Sequence, residues 1–81
     1  MKIIKELRLD NDRIAFELDE PPNRYEYAMF YEWAEIHGVI KYVQIKNFYR
    51  SEMFGDVDYP SIQIEADAPE SVETLCKLKW I

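Results

Sequence analysis

One cysteine, Cys76, one histidine, His37, and two glycines, Gly38 and Gly55, are all that this chain of 81 residues holds of three types on which much site chemistry depends. A lone thiol excludes an intrachain disulfide. Without a second histidine, a glycine-rich turn or an activated serine, no catalytic constellation, metal motif or phosphate loop stands out, and an enzyme is not expected. No apolar run approaches the roughly 20 residues of a membrane span. Residues 1–6 likewise carry none long enough for a signal peptide, so a cytoplasmic protein is expected. Positive charge is also scarce: Lys and Arg number 10 against 16 Asp and Glu, for a net charge of −6. Affinity for phosphate backbones comes largely from Lys and Arg releasing counterions, so direct nucleic-acid binding and anionic membranes are disfavoured.

What the chain does hold is apolar and aromatic. With 48% hydrophobic and 15% aromatic residues, it lies far from the composition of disordered segments. Its length permits one domain, residues 1–81, and a domain of this size buries about 60–65% of the surface of its extended chain. Charge is laid out in blocks. Residues 39–50 carry Lys41, Lys46 and Arg50 and no acid, whereas residues 51–73 carry Glu52, Asp56, Asp58, Glu65, Asp67, Glu70 and Glu73 and no cation.

Periodicity places the elements. Residues 3–10 and 13–19 alternate, and a two-residue turn at Asn11-Asp12 pairs Leu9 with Ile14 and Leu7 with Phe16. Leu7, Leu9, Ile14, Phe16 and Leu18 then share a buried face, and Glu6 meets Glu17 as a mildly costly like-charge pair. Pro21-Pro22-Asn23 predicts a helix start capped by Asn23, and Gly38 its end. On the helical wheel Phe30, Trp33 and Ala34 centre the buried side, flanked by Met29 and Tyr27. Tyr25 and Tyr31 fall at its borders. Val43 and Ile45 begin a third strand that extends into Phe48-Tyr49, residues 51–60 read as a loop, and Ile62, Ile64 and Ala66 mark a half-buried fourth strand. Asp67-Ala68-Pro69-Glu70 is a capping-box pattern, opening a second helix that buries Val72, Leu75 and Cys76. Trp80-Ile81 is left as an apolar tail.

The order β-β-α-β-β-α implies an α+β fold, a two-layer sandwich of a four-stranded antiparallel sheet with two helices on one face. A ferredoxin-like split βαβ is the alternative. There, residues 13–19 open the motif, residues 78–81 close it, and the first strand is an extra edge.

Candidate sites follow from the residue types. Glu52, Asp56 and Asp58 offer hard oxygen ligands, but the spacing lacks the twelve-residue calcium-loop pattern and its terminal Glu, so a solvated acidic segment is the reading and no metal or cofactor is expected. Read as a contact surface, the same segment is richer, because Met53, Phe54, Val57 and Tyr59 interleave with the acids. Lys41, Lys46 and Arg50 with Tyr42, Phe48 and Tyr49 have the look of a base-stacking strand, outweighed by the neighbouring acids. His37 has no identifiable partner and suits a helix C-terminus, and Cys76 falls at core spacing.

These observations point to a non-enzymatic protein-binding module, an inhibitor or adaptor that occupies a basic, nucleic-acid-binding surface of a larger protein. The expected contact residues are Glu52, Met53, Phe54, Asp56, Asp58, Tyr59, Glu65, Glu70 and Glu73, presented as one continuous patch. In size, charge and aromatic content the chain resembles the small acidic proteins of phages and mobile elements that block nucleic-acid-handling machines by charge mimicry. The alternative is a small-ligand sensing or regulatory domain that forms a homodimer through sheet edges, or through an uncovered apolar face contributed by Ile40, Tyr42 and Phe48.

Overall fold

The alternating residues near the start of the chain form a hairpin in the computed structural model, which describes residues 1–81. Strand β1 (Ile3–Arg8) pairs antiparallel with β2 (Ile14–Leu18). Their connection is longer than the two-residue turn suggested by Asn11-Asp12. The Leu9 N–H donates to the Arg13 carbonyl at 2.7 Å, and a 3-10 turn at Asp10–Asp12 fills the loop. Asn11 and Asp12 hold φ of 67° and 60°, the left-handed region that these two residue types tolerate better than most. The larger loop slips the register by one: Leu7 meets Ala15, Glu6 meets Phe16, and Lys5 rather than Glu6 meets Glu17. A one-residue slip exchanges the faces of a strand. Leu7 therefore leaves the side of Phe16, and Glu6 reaches the Lys77 ammonium at 3.0 Å.

Asn23 and Glu26 exchange side-chain-to-backbone bonds as a capping box, and α1 (Arg24–Ile36) follows. Gly38, at φ 69°, takes the left-handed position beyond the His37 cap. Phe30 and Ala34 are buried as expected, but Met29 and Tyr27 are exposed. Tyr31 takes their place at the margin, and its hydroxyl accepts the Ile45 N–H at 3.1 Å. The sheet therefore lies toward the Tyr31 side of the helix.

The acidic segment expected to be a loop is strand. β3 (Val43–Glu52) and β4 (Gly55–Ile64) form one regular hairpin with Glu52 opposite Gly55, leaving only Met53 and Phe54 in the turn. Gly55, at φ 122°, supplies a conformation that side chains rarely adopt. Pro60 does not break the strand, for a reason of direction. The Lys46 carbonyl accepts the Ser61 hydroxyl at 2.6 Å, whereas the Ile45 N–H turns the other way to Tyr31. Backbone groups of an antiparallel strand alternate sides, so Ser61 bonds β3 and its neighbour Pro60 points toward β2. Pairing of β2 with β4 ends at Glu17 and Ser61, one residue short of Pro60. The missing N–H is thus a stop signal for β2 and harmless to β3.

The sheet order is β1-β2-β4-β3, antiparallel throughout. β4 is central, which corrects the half-buried reading: Ser61 and Gln63 are buried together with Ile62 and Ile64. The second helix, α2 (Glu70–Trp80), starts two residues later than the Asp67 pattern implies, with Pro69 as an N-cap that makes no side-chain cap bond. Trp80 belongs to α2 and is neither tail nor strand. Its ring lies 4.5 Å from Trp33 and 5.2 Å from Phe30, so both helices pack against each other on one face of the sheet. Phe16, Leu18, Phe30, Ala34, Ile45, Ile62, Val72 and Cys76 belong to the core between the layers.

The architecture is the expected α+β sandwich, and its connectivity refines the ferredoxin-like alternative. β2 and β3 run parallel with β4 between them, a split βαβ that β2 opens. The edge next to β2 is filled by β1, not by residues 78–81. No helix is long and apolar enough to cross a membrane.

Candidate partner-binding surface

Because β2 stops at Pro60, residues 47–60 continue as a two-stranded arm. From Asn47 to Glu52 it extends about 17 Å at ~3.3 Å per residue. The arm ends on Met53 and Phe54, which are 91% and 98% exposed. Apolar side chains of this size offered to water at a turn gain the most from a partner, since each is worth about 1.5–3 kcal/mol on full burial.

Alternation sorts the arm into two faces. On the open face, away from the helices, Phe48 stacks on Tyr59 with ring centroids 5.4 Å apart, and the Arg50 guanidinium sits 4.7 Å from the Tyr59 ring centroid. Arg50 also meets the Glu17 carboxylate at 3.4 Å. The Tyr59 hydroxyl donates to Glu52 at 2.7 Å, and that acceptor holds the phenol above its ordinary pKa. The helix-side face carries Tyr49, 75% exposed, opposite Asp58, with Ser51 opposite Asp56. Asp58 accepts from the Asn47 side chain at 3.1 Å and Asp56 from the Ser51 hydroxyl at 3.0 Å. These bonds orient the carboxylates without cancelling their charge.

Six of the nine expected contact residues, Glu52, Met53, Phe54, Asp56, Asp58 and Tyr59, are thus gathered on the arm. Glu65, Glu70 and Glu73 are not with them. β4 carries the chain about 30 Å from the turn to Glu65, at ~3.3 Å per residue. There these three acids line a cleft of about 210 Å³ with Arg8 and Asp12. Two are paired internally, Glu65 with Arg13 at 3.0 Å and Glu73 with Lys77 at 3.1 Å, a cation it shares with Glu6. One continuous acidic patch does not form, because the length of β4 separates what sequence proximity suggested was contiguous. Tyr49 is the arm residue that the charge pattern missed. Continuing the alternation of β3 past Phe48 would have found it.

The other candidates disperse. His37 is exposed, with its ring 5.2 Å from Trp33 and no carboxylate or nucleophile among its hydrogen-bond or ion-pair partners. Cys76 is buried, and burial pushes its thiol up to about 12. The cationic strand is not a stripe: Arg50 is held by Glu17, and Lys41 lies over the Tyr42 ring at 5.0 Å. Nor do Ile40, Tyr42 and Phe48 make an open apolar face, since Tyr42 packs on the core while Phe48 is buried on the arm beneath Tyr59 and Arg50. A groove of about 480 Å³ between the helices is lined by Met29, Trp33, Trp80, Glu26, Glu32 and Lys79 among others, a set with no serine, cysteine or histidine. No family model matches the chain, and no curated protein or solved structure matches it.

Proposed function

We propose that this protein is a non-enzymatic binding module, an inhibitor or adaptor that inserts the tip of its β3–β4 arm into a basic groove where a larger protein would otherwise hold nucleic acid. The reading is carried by one observation: Met53 and Phe54 stand almost wholly in water at the end of a regular arm, bracketed by Glu52, Asp56 and Asp58. Interface cores favour aromatic residues and Met inside a polar rim, and charge complementarity speeds encounter and rejects wrong partners. Here the rim is acidic. Arg50, the nearest cation in sequence, is engaged by Glu17, so the end of the arm presents net negative charge to a partner.

The mechanism is competition. Carboxylates Glu52, Asp56 and Asp58 stand where phosphates would lie, and Met53 with Phe54 supplies the desolvated contact that a phosphate backbone lacks. Glu65, Glu70 and Glu73, at the far end of β4, add to the long-range field and not to the contact.

Capture from the source cells tests this reading, using the wild-type protein, Met53→Ser with Phe54→Ser, and Asp56→Lys with Asp58→Lys. The expected result is a basic protein retained by wild type, lost with either pair of substitutions, and displaced by added DNA or RNA. Retention of the same protein by both substituted forms, or indifference to polyanion, would place the contact elsewhere.

A further inference from the structure

A four-stranded open sheet has two edges, and this one guards them unequally. β1 at one side is short, irregular between Ile3 and Lys5, and carries Lys5 and Arg8. The free side of β4 along the arm has Pro60, Asp58 and Asp56 in its outward-pointing positions. These are standard devices against strand addition. β3 has neither proline nor irregularity in its pairing with β4 over ten residues. By the alternation fixed at Ile45 and Lys46, the backbone groups of Asn47, Tyr49 and Ser51 point away from β4. The Ile45 N–H is already taken by the Tyr31 hydroxyl, and none of the bonds in turns, loops or caps uses Asn47, Tyr49 or Ser51. The open stretch is therefore the arm itself.

We propose that this edge pairs with the same edge of a second copy of the chain, antiparallel, about a two-fold axis at Tyr49, to join two sheets into one of eight strands. The side chains select both the partner and the register. Outward-pointing residues must meet outward-pointing residues, which restricts the pairing to steps of one residue in the position of the axis. With the axis at Tyr49, Lys46 faces Glu52 of the other copy, Phe48 faces Arg50, and Asn47 faces Ser51. Every charged group then meets an opposite charge or an aromatic ring, and about six backbone hydrogen bonds form. Moving the axis to Phe48 sets Lys46 against Arg50, and moving it to Arg50 sets that residue against itself; both oppose like charges. Axes at Asn47 or Ser51 oppose no like charges, but the first draws in the occupied Ile45 N–H and the second runs into the Met53-Phe54 turn. The Tyr49 register alone uses the whole open stretch without a like-charge pair. Pairing stops at Glu52, where the neighbouring Ile45 N–H is occupied, so the Met53-Phe54 turns remain outside the paired segment. The inference uses the edge of β3 and shares only Glu52 with the tip, and its failure would leave the contact through Met53, Phe54, Asp56 and Asp58 untouched.

Sedimentation over a wide concentration range decides it, with wild type, Glu52→Lys, and Lys46→Glu combined with Glu52→Lys. Wild type is expected to dimerise reversibly. Glu52→Lys sets two like-charge pairs across the axis and is expected to weaken the dimer about tenfold or more. The double exchange restores both pairs with reversed sign and is expected to restore association. A wild type that stays monomeric overturns the proposal. So does a dimer indifferent to Glu52→Lys, or one that the double exchange does not rescue.

Discussion

Phe54 and Phe30 are the same residue type with opposite consequences. Phe54 touches little, so Met53→Ser with Phe54→Ser is expected to shift stability by no more than about 0.5 kcal/mol. Its melting temperature should stay within about 3 °C of wild type. Phe30 is fully buried against Tyr31, Trp33 and Trp80, and Phe30→Ala is expected to cost about 3–5 kcal/mol, enough to unfold much of a domain this small. Parallel thermal melts check the pair. Cys76 gives a second residue-scale expectation. Burial alone drives its thiol to about 12, so the reactive thiolate is absent at neutral pH. A thiol reagent should label native protein only as fast as the chain unfolds; rapid labelling with the fold intact would contradict the burial. Glu6 gives a third. The Lys77 ammonium holds its carboxyl below the ordinary 4.5. A depressed acid contributes stability that is present above the unfolded pKa and lost as pH falls through the folded one. Glu6→Gln should therefore lower stability at neutral pH and flatten the acid side of the pH–stability curve below about 4.5.

Elements whose signals were local were the legible ones. Asn23 with Glu26 at one end, and Gly38 at the other, bound α1 by capping chemistry that depends on adjacent residues alone. Asn23→Ala is expected to cost about 1 kcal/mol by chemical denaturation. The register of β1 was not legible, because Asn11 and Asp12 both accept positive φ and so suit a two-residue turn as well as the longer loop that forms. From sequence the arm reads as a loop for a different reason. Gly55 and Pro60 are breakers in most contexts, and only the direction in which Pro60 points, set by its partners on β3, makes it neutral there. Gly55→Ala should loosen the turn by about 1–3 kcal/mol through backbone strain, since no atom lies close enough to crowd the added methyl. Amide exchange should show the change in the arm and leave Ile62 and Ile64 protected, because those residues pair on both sides.

Across the whole molecule, net charge was readable and its placement was not. Sixteen acids against ten cations leave the chain with a net charge of −6. Only topology decides that Glu65 and Glu73 are answered by Arg13 and Lys77 while Glu52, Asp56 and Asp58 stay at the end of the arm. Long-range attraction to a basic partner should make the association rate fall steeply with added salt, and Asp56→Lys with Asp58→Lys should flatten that dependence. A rate that is flat for wild type would point to an apolar contact without steering. The tip itself is tested most directly by a photoreactive residue in place of Phe54, with the same residue at Tyr25 on the outer side of α1 as control. Activation in source cells should join position 54 to a Lys- and Arg-rich peptide of one protein, with the product suppressed by excess nucleic acid. Cross-linking from position 25 alone, or from position 54 to an acidic or uncharged surface, would contradict the arm as the point of contact.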